Sequence, residues 1–272
     1  MEAGSVVHPP APLSYAWRVS VQVVLVHGIR TSATMWRSQV AHLEAHGYGC
    51  TAIDLPGHGA RIHEEFTLDA ALQAIDDAVR AAAERGPVLL VGHSMGGLLS
   101  IAYTGGASTP PVAGLLAAAC TSLPRGAGLT LYRMLFRAVK SLPGDGMWIT
   151  RGILATTVPS ETRADFGAGG YALEVQDRAL ASLAELNIPA ALRRISVPLW
   201  FVNGQYDQLR VNERLFQRLA PHAELVIVPR TTHLVTVMRP RIFNAAIRLG
   251  IATLESEAGG LPRARGEHAA EH

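Results

Sequence analysis

Charged residues are scarce in this sequence of 272 amino acids: Asp, Glu, Lys and Arg make up 17%, against 49% hydrophobic residues. Charged residues are usually about a quarter of a protein. Lys140 is the only lysine, and the formal net charge is +2. A net charge this small does not indicate a basic surface that would bind nucleic acid, so we expect no nucleic-acid partner. The hydrophobic share is enough for a core on both sides of a sheet, in one large α/β domain or in two.

Cysteine is also rare, because only Cys50 and Cys120 occur, each in an apolar strand-like run that indicates a core position. There is no disulfide framework, no His/Cys metal spacing, no dinucleotide-binding glycine motif and no P-loop, so we expect no cofactor and no metal. Residues 1–18 lack the pattern of a signal peptide, and no run approaches the roughly 20 apolar residues of a membrane span. We therefore expect a cytoplasmic protein without a transmembrane segment.

Apolar runs of strand length alternate with segments of helical periodicity along most of the chain. The strand-like runs lie at 21–26, 50–53, 88–91, 112–119, 198–202 and 225–228, and the helical segments lie at 35–46, 67–85, 211–219 and 239–254. In segment 67–85, apolar residues recur at intervals of three and four, and Thr67 is a good N-cap. Residues 15–20 are a further candidate edge strand. The alternation predicts a mostly parallel sheet with helices on both faces and ligands at the carboxyl ends of the strands.

The alternation stops between residues 123 and 195, where no strong strand pattern occurs. We interpret residues 1–122 and 196–255 as the α/β core, residues 123–195 as a helical cap, and residues 256–272 as a disordered tail. A cap inserted at this point would cover the carboxyl edge of the sheet. Its helix predicted at 129–142 is basic on one side and apolar on another. That helix either contacts an anionic membrane or lies with its apolar side on the site, and we favour the second.

The strongest local pattern is the segment 87–97, with the sequence PVLLVGHSMGG. An apolar strand runs into the turn Gly92-His93-Ser94-Met95-Gly96, and a helix follows. Glycines two residues before and after Ser94 let the strand and the helix approach without a clash. The serine hydroxyl is then held out from the sheet at the N-terminus of the helix, as in a nucleophile elbow. The alternative is an ordinary glycine-rich turn.

A serine nucleophile needs an adjacent base, and the base needs a third group that orients it. In a parallel sheet, these groups should follow the carboxyl ends of later strands. Asp207 follows the run at 198–202, and His233 follows the run at 225–228. We therefore predict Ser94 as nucleophile, His233 as base and Asp207 as the orienting acid. The alternatives are a helix-capping role for Asp207 and an ordinary surface-loop position for His233.

When the serine attacks, the carbonyl oxygen of the substrate becomes negatively charged, and this oxyanion needs hydrogen-bond donors. Met95, the residue after the nucleophile, offers a backbone N–H at the start of the helix. The loop after the first predicted strand, His27-Gly28-Ile29, offers a second donor, and we choose the N–H of Ile29 because Gly28 allows the turn. Four further side chains are candidates for the substrate pocket: Arg30, Met134, Met147 and Trp148. The alternatives are a solvated Arg30 and core positions in the cap for the other three.

Together these motifs resemble those of the α/β-hydrolase family. The resemblance covers residues 21–250 and rests on His27-Gly28, Trp36, Asp54-Leu55-Pro56-Gly57-His58-Gly59, Gly92-His93-Ser94-Met95-Gly96-Gly97, Asp207 and His233. It implies an eight-stranded, mostly parallel sheet with a lid, and because the N-terminal segment before residue 21 is short, we expect a reduced first strand. The carboxylesterase and methylesterase branch is the most similar, together with monoacylglycerol lipases and lysophospholipases. Gly28 and Leu234 stand where the related hydroxynitrile lyases carry threonine and lysine, so the resemblance implies hydrolysis.

We therefore expect a serine hydrolase that cleaves a small to medium, mostly apolar carboxylic ester or lactone through an acyl-enzyme. A lysophospholipase or monoacylglycerol lipase is the next alternative. A slow or non-hydrolytic ligand sensor on the same fold would carry the same three residues. Cofactor-free oxygenation or perhydrolysis is a further alternative. No feature of the sequence indicates an oligomeric state.

Overall fold

Six parallel strands form the centre of the protein in a computed structural model that describes residues 20–258. The strands are β1 (Gln22–Val26), β2 (Gly49–Ile53), β3 (Val88–His93), β4 (Gly114–Ala118), β5 (Leu199–Gly204) and β6 (Glu224–Val228). The helices are α1 (Arg37–Ala45), α2 (Leu68–Ala83), α3 (Met95–Thr104), α4 (Ala127–Lys140), α5 (Met147–Thr157), α6 (Ser160–Gly167), α7 (Gln176–Leu183), α8 (Ile188–Arg194), α9 (Glu213–Leu219), α10 (Val235–Met238) and α11 (Pro240–Ala258).

The strands lie in the order β2-β1-β3-β4-β5-β6, and every pair is parallel. The predicted mostly parallel sheet is therefore confirmed, with six strands among the described residues instead of the eight that the resemblance implied. Of the candidate edge strand at 15–20, only Ser20 is described, and it has no regular structure. Because all strands run the same way, the loops that follow them meet at one edge of the sheet.

The core lies on both faces of the sheet because successive side chains of a strand point to opposite sides. In β1, Val24 belongs to the apolar cluster that includes residues of α2, α3, α7 and α8, whereas Val23 and Leu25 belong to the cluster that includes residues of α1 and α11. The four central strands are buried throughout, which explains why they read as continuous apolar runs. Thr67 caps α2 as predicted, since its hydroxyl oxygen accepts a hydrogen bond from the Ala70 N–H at 3.1 Å.

Between β4 and β5 the described chain forms five helices, α4 to α8, and no strand. The predicted tail at 256–272 was wrong at its start, because α11 continues to Ala258. Ile247, Ile251 and Leu254 hold that helix on the sheet. The remaining tail residues lie outside the described part of the chain. Among residues 20–258, no helix combines the length and the hydropathy that a membrane crossing requires.

Two histidines at the ends of central strands are fully buried. His27 follows β1, and His93 is the last residue of β3. Burial lowers the pKa of both imidazoles to about 3, and nearby histidines add to the effect: His58 beside His27 and His233 beside His93. Both rings are therefore neutral at every pH near neutrality.

We expect this burial to make the fold sensitive to mild acid. Unfolded histidine takes up a proton near pH 6.5, whereas His27 and His93 do so in the fold only at about 3. Below pH 6.5 the unfolded state therefore binds up to two more protons than the folded state. The stability that the neutral His27 and His93 contribute is complete above that pH and is lost as the pH falls. The free energy of unfolding should drop by roughly 2–3 kcal/mol per pH unit between about pH 6 and about pH 5.

Denaturant unfolding at several pH values in this window measures the slope. The control is the variant His93→Gln, which keeps an amide donor but removes one titrating group. Its slope should be smaller by about 1.4 kcal/mol per pH unit. Equal slopes in the two proteins would contradict the prediction.

Candidate active site

Ser94 is the single residue that joins β3 to α3, and its backbone is in an unusual conformation. Its φ is 54° and its ψ is −116°, in a region that L-residues rarely adopt. The Ser94 N–H donates a hydrogen bond of 2.8 Å to the carbonyl oxygen of Ala118, at the end of β4. The side chain is thereby directed away from the sheet at the N-terminus of α3, as the sequence pattern predicted.

The glycines around Ser94 are required by direct contact between backbones. A Cβ atom on Gly92 would lie 2.5 Å from the carbonyl oxygen of Gly96, and a Cβ on Gly96 would lie 2.4 Å from the carbonyl oxygens of Val26 and His27. These neighbours are main-chain atoms of the sheet and helix, which cannot move aside as a flexible side chain would. The helix α3 therefore packs on β1 and β3 at a distance that only glycine permits.

The structure places His233 between Ser94 and Asp207, the three residues that the sequence analysis singled out. Its Nε2 is 2.9 Å from the hydroxyl oxygen of Ser94, and its Nδ1 is 3.2 and 3.3 Å from the two carboxylate oxygens of Asp207. A carboxylate only accepts hydrogen bonds, so Nδ1 carries the proton of the neutral ring. Nε2 is then the acceptor that faces the serine hydroxyl, which is the arrangement that general-base activation of a serine requires.

The Asp207 side chain is completely buried beneath His233. Burial opposes ionisation, but the hydrogen bond and charge of His233, together with the Leu209 N–H, hold the pKa of the Asp207 carboxyl below its ordinary value. The Leu209 N–H donates to Asp207 Oδ1 at 2.8 Å. Asp207 is therefore an anion near neutral pH, and it favours the Nδ1–H tautomer of His233.

Main-chain hydrogen bonds join the loops that carry Asp207 and His233. The Tyr206 N–H donates to the Thr231 carbonyl at 2.8 Å, and the Gln205 N–H donates to the Val228 carbonyl at 3.0 Å. The loops are so close that a Cβ on Gly204 would lie 2.1 Å from the carbonyl oxygen of Thr232. These contacts hold Asp207 and His233, which are 26 residues apart in the chain, at a fixed distance from each other.

The loop after β1 lies directly against the serine turn. A Cβ on Gly28 would lie 3.2 Å from Ser94 Cβ and 2.9 Å from His93 Nδ1. The Leu55 N–H donates to His27 Nε2 at 3.0 Å, so the neutral ring carries its proton on Nδ1 and donates it to the Gly28 carbonyl at 2.7 Å. That carbonyl belongs to the same peptide group as the Ile29 N–H. The orientation of the peptide is therefore set by His27.

His93 contributes a contact that the sequence analysis missed. Its Nε2 is 2.9 Å from the carbonyl oxygen of His233, so the ring donates its proton to the main chain of the neighbouring loop. No sequence pattern predicts this bond, because it joins residues separated by 140 positions. Asn203 of β5, two strands away, also joins separate segments, since its Nδ2 donates to Thr121 Oγ1 at 2.9 Å and to Glu213 Oε2 at 2.7 Å.

A small cavity of about 80 Å³ opens beside Ser94. Its lining is almost entirely apolar and comes from the β1 loop, α3, the chain after β4, the inserted helices and the Asp207 loop. The lining residues besides Ser94 are Ile29, Met95, Leu98, Ser122, Leu123, Pro124, Leu129, Leu180, Leu183 and Leu209. A larger cavity of about 840 Å³, beside the amino end of β5, lies away from the Ser94–His233–Asp207 cluster, so size alone does not locate the site.

None of the four predicted pocket residues is among the described residues that line this cavity. Met134 and Trp148 are 61% and 65% exposed on the outer side of α4 and α5. Arg30 contacts the inserted helices: its Nη2 lies 3.8 Å from Met147 Sδ and 3.3 Å from Thr150 Oγ1, and its guanidinium stacks 5.0 Å over the ring of Phe136. Arg30 and Met147 thus join the β1 loop to the inserted helices.

Comparison with known proteins gives matches in sequence and in fold. The model of the "Alpha/beta hydrolase family" matches residues 23–246. A protein of Oryza sativa subsp. indica named "Probable esterase PIR7A" is 36% identical over 118 residues, which are 42% of this chain and 45% of that protein. The (E)-2-((N-methylformamido)methylene)succinate hydrolase of Acinetobacter baylyi is 37% identical over 81 residues, 29% of this chain and 30% of that protein. The matches thus span less than half the length of these curated relatives.

The similarity of fold extends over most of the chain. The structure of an esterase from Thermogutta terrifontis covers 87% of this chain and 91% of its own, with a TM-score of 0.69 and 22% sequence identity. At this level of identity the likeness concerns the fold, whereas the family model matches the sequence from β1 to within α11. By the parallel sheet, the serine turn at the end of β3 and this match, the chain belongs to the alpha/beta hydrolase family.

Proposed function

We propose that this protein is a serine hydrolase that cleaves carboxylic esters or lactones. The observation that carries the proposal is the hydrogen-bonded chain from the Ser94 hydroxyl through His233 to the buried carboxylate of Asp207. A serine at the N-terminus of a helix, with a neutral imidazole at 2.9 Å, is arranged for attack on a carbonyl carbon.

In the proposed reaction, His233 Nε2 takes the proton of the Ser94 hydroxyl while Ser94 Oγ bonds to the ester carbonyl carbon. The ester C–O bond then breaks, and the leaving alcohol receives that proton from His233. Water, deprotonated by the same nitrogen, attacks the acyl-enzyme; the proton returns to Ser94 Oγ as the carboxylic acid leaves. Asp207 stabilises the imidazolium that forms in each half of the cycle.

The backbone N–H groups of Ile29 and Met95 are the proposed donors to the tetrahedral oxyanion. Both residues line the cavity on which Ser94 opens, one from the β1 loop and one from the first position of α3. The N-terminal N–H groups of a helix are free to donate, and the helix dipole favours negative charge there. Loss of one such donor typically costs about 10²–10³ in rate.

We infer that residues 123–195 act as a cap over the core formed by residues 1–122 and 196–255. Leu129 of α4, together with Leu180 and Leu183 of α7, supplies cavity wall directly beside Ser94. The choice of substrate would therefore be made in this segment, whereas the reacting groups belong to the core.

The preferred substrate in this proposal is uncharged and short to medium in length. The described residues that line the cavity include no charged side chain, and Arg30 is engaged with α5 instead of facing the substrate. A carboxylate placed in this cavity would lose hydration without gaining a cationic partner. The related Acinetobacter baylyi enzyme is named for a succinate derivative, and we infer a different, apolar class of ester here. A lysophospholipid or monoacylglycerol would require a larger cavity.

His93 is the positioning residue that we infer for this reaction. Its N–H holds the main-chain carbonyl of His233, and its other nitrogen stands against Gly28 of the β1 loop. The same ring thus fixes the distance between nucleophile, base and oxyanion loop, without touching the substrate.

We expect Ser94→Ala to lower kcat/KM for p-nitrophenyl butyrate by up to roughly 10⁶, because the nucleophile is lost and only binding and oxyanion stabilisation remain. Steady-state kinetics and labelling by a fluorophosphonate probe measure the effect, and labelling should disappear. The matched control is Ser108→Ala, an exposed serine in a loop, which should keep wild-type rates. Near wild-type turnover by folded Ser94→Ala would refute the proposal.

The cavity predicts a substrate profile. Across p-nitrophenyl esters, kcat/KM should be highest for short to medium acyl chains and should fall for long ones. The hemisuccinate, which matches the butyrate in chain length but ends in a carboxylate, should be poorer by at least ~10-fold, because its charge finds no partner. Equal rates for butyrate and hemisuccinate would contradict the uncharged class. A single burst without further turnover would indicate a sensor.

A third prediction concerns His93. The variant His93→Phe keeps the volume but removes the donor, and kcat and the fluorophosphonate labelling rate should both fall by roughly 10–100-fold, the range seen when supporting hydrogen bonds to reactive groups are removed. KM should change little. His93→Gln, whose amide restores a donor, should recover most of the rate. If both variants lose only melting temperature while the rate per folded molecule is unchanged, the positioning role is wrong.

A further inference from the structure

Five large apolar side chains are exposed on α4, on α5 and in the turn between them. They are Met134, Leu135, Leu142, Trp148 and Ile153, and we call them the outer apolar patch. They are five of the eleven large hydrophobic side chains that are exposed among the described residues. Exposed apolar side chains that are concentrated within 20 positions indicate an interaction surface, whereas single exposed apolar residues scattered over a protein do not.

The outer apolar patch lies on α4 and α5, and α4 also supplies part of the cavity wall beside Ser94. Leu129 of α4 lines the cavity, and Arg30 beside the β1 loop contacts Met147 and Thr150 of α5. The turn that precedes α5 lies close to the end of α4, because a Cβ on Gly146 would lie 2.4 Å from the carbonyl oxygen of Val139. The two helices that carry the patch are therefore joined by a turn that is packed against α4.

Positive charge is concentrated in the same segment. Residues 123–157 contain five basic residues and one acidic residue: Arg125, Arg133, Arg137, Lys140 and Arg151 against Asp145. Their net charge is +4, whereas the whole chain has +2, so the rest of the chain is net negative. Three of these cations form ion pairs with Glu174 and Asp177, beside α4, and the net charge is still +2 (+4 − 2) when these two carboxylates are counted.

The charge distinguishes between the surfaces that could cover the patch. A symmetric dimer would place the patch against its own copy, and two regions of net positive charge would then face each other. Like charges across an interface oppose association. An anionic lipid surface accepts both features at once, because exposed Trp, Leu and Ile side chains enter the headgroup boundary while Arg and Lys contact lipid phosphates.

We propose that the outer apolar patch docks this protein on the surface of anionic lipid bilayers, with α4 and α5 lying in the interface. The proposal concerns binding and does not depend on whether Ser94 hydrolyses an ester. Docking in this orientation would hold the apolar cavity near the bilayer, where uncharged esters accumulate.

Co-sedimentation with vesicles tests the proposal. The wild-type protein should pellet with vesicles of phosphatidylcholine that contain about 30% phosphatidylglycerol, and much less with pure phosphatidylcholine. Added salt should weaken the binding, since each basic residue near an anionic surface adds roughly a fivefold factor to the affinity at low salt. The double variant Leu135→Ser, Trp148→Ser should bind at least ~10-fold more weakly, because two large apolar side chains no longer enter the lipid.

The matched control is Leu249→Ser, an exposed leucine of α11 outside the patch, which should bind like the wild type. Hydrolysis of a water-soluble ester by the double variant reports whether the site is intact. The proposal is overturned if the wild type pellets with neither vesicle, if it pellets equally with both, or if the double variant binds as well as the wild type. Light scattering that shows a dimer dissolved by the double variant would assign the patch to a second copy instead.

Discussion

The backbone of Ser94 is held at a φ of 54°, a conformation that costs about 1–3 kcal/mol in a non-glycine residue. The surrounding packing keeps it there. The Ser94 N–H is bonded to Ala118, and α3 begins at the next residue, in backbone contact with β1 and β3 through Gly92 and Gly96. Because the helix cannot be displaced without breaking these contacts, the direction of the serine side chain is fixed. The other loops at the carboxyl edge of the sheet are arranged around Ser94.

Neutral, buried histidines then hold the loops in place. His27 connects the β1 loop to Leu55 after β2, and His93 connects the serine turn to the main chain of His233. A buried polar group without a partner is costly, so each of these hydrogen bonds restrains the loop that supplies its partner. Asp54 acts in the same way with a carboxylate, since it accepts from the N–H groups of Ala33 and Ala60 at 2.7 and 2.9 Å. The edge of the sheet is therefore preorganised before any substrate arrives.

The inserted helices form a different kind of surface. Leucines of α4 and α7 line the cavity. An ion pair joins α4 to α7, and large apolar side chains of α4 and α5 are exposed. One helix, α4, takes part in all three contacts. This division of α4 explains why its apolar residues could not be assigned to the site as a group: some face Ser94, and Met134 and Leu135 face away from it.

The sequence by itself determined the order of strands and helices, the serine turn and the positions of Asp207 and His233. Each of these follows from a local pattern: buried parallel strands read as apolar runs, a backbone contact requires glycine, and parallel strands deliver the residues after them to one edge. Only the tertiary structure decided that His93 bonds to His233, that Arg30 stacks on the inserted helices, and that Trp148 lies outside the cavity. These contacts join residues far apart in the chain. Which side of an inserted helix is covered depends on its neighbours in space, and the pattern of apolar residues within the helix does not specify those neighbours.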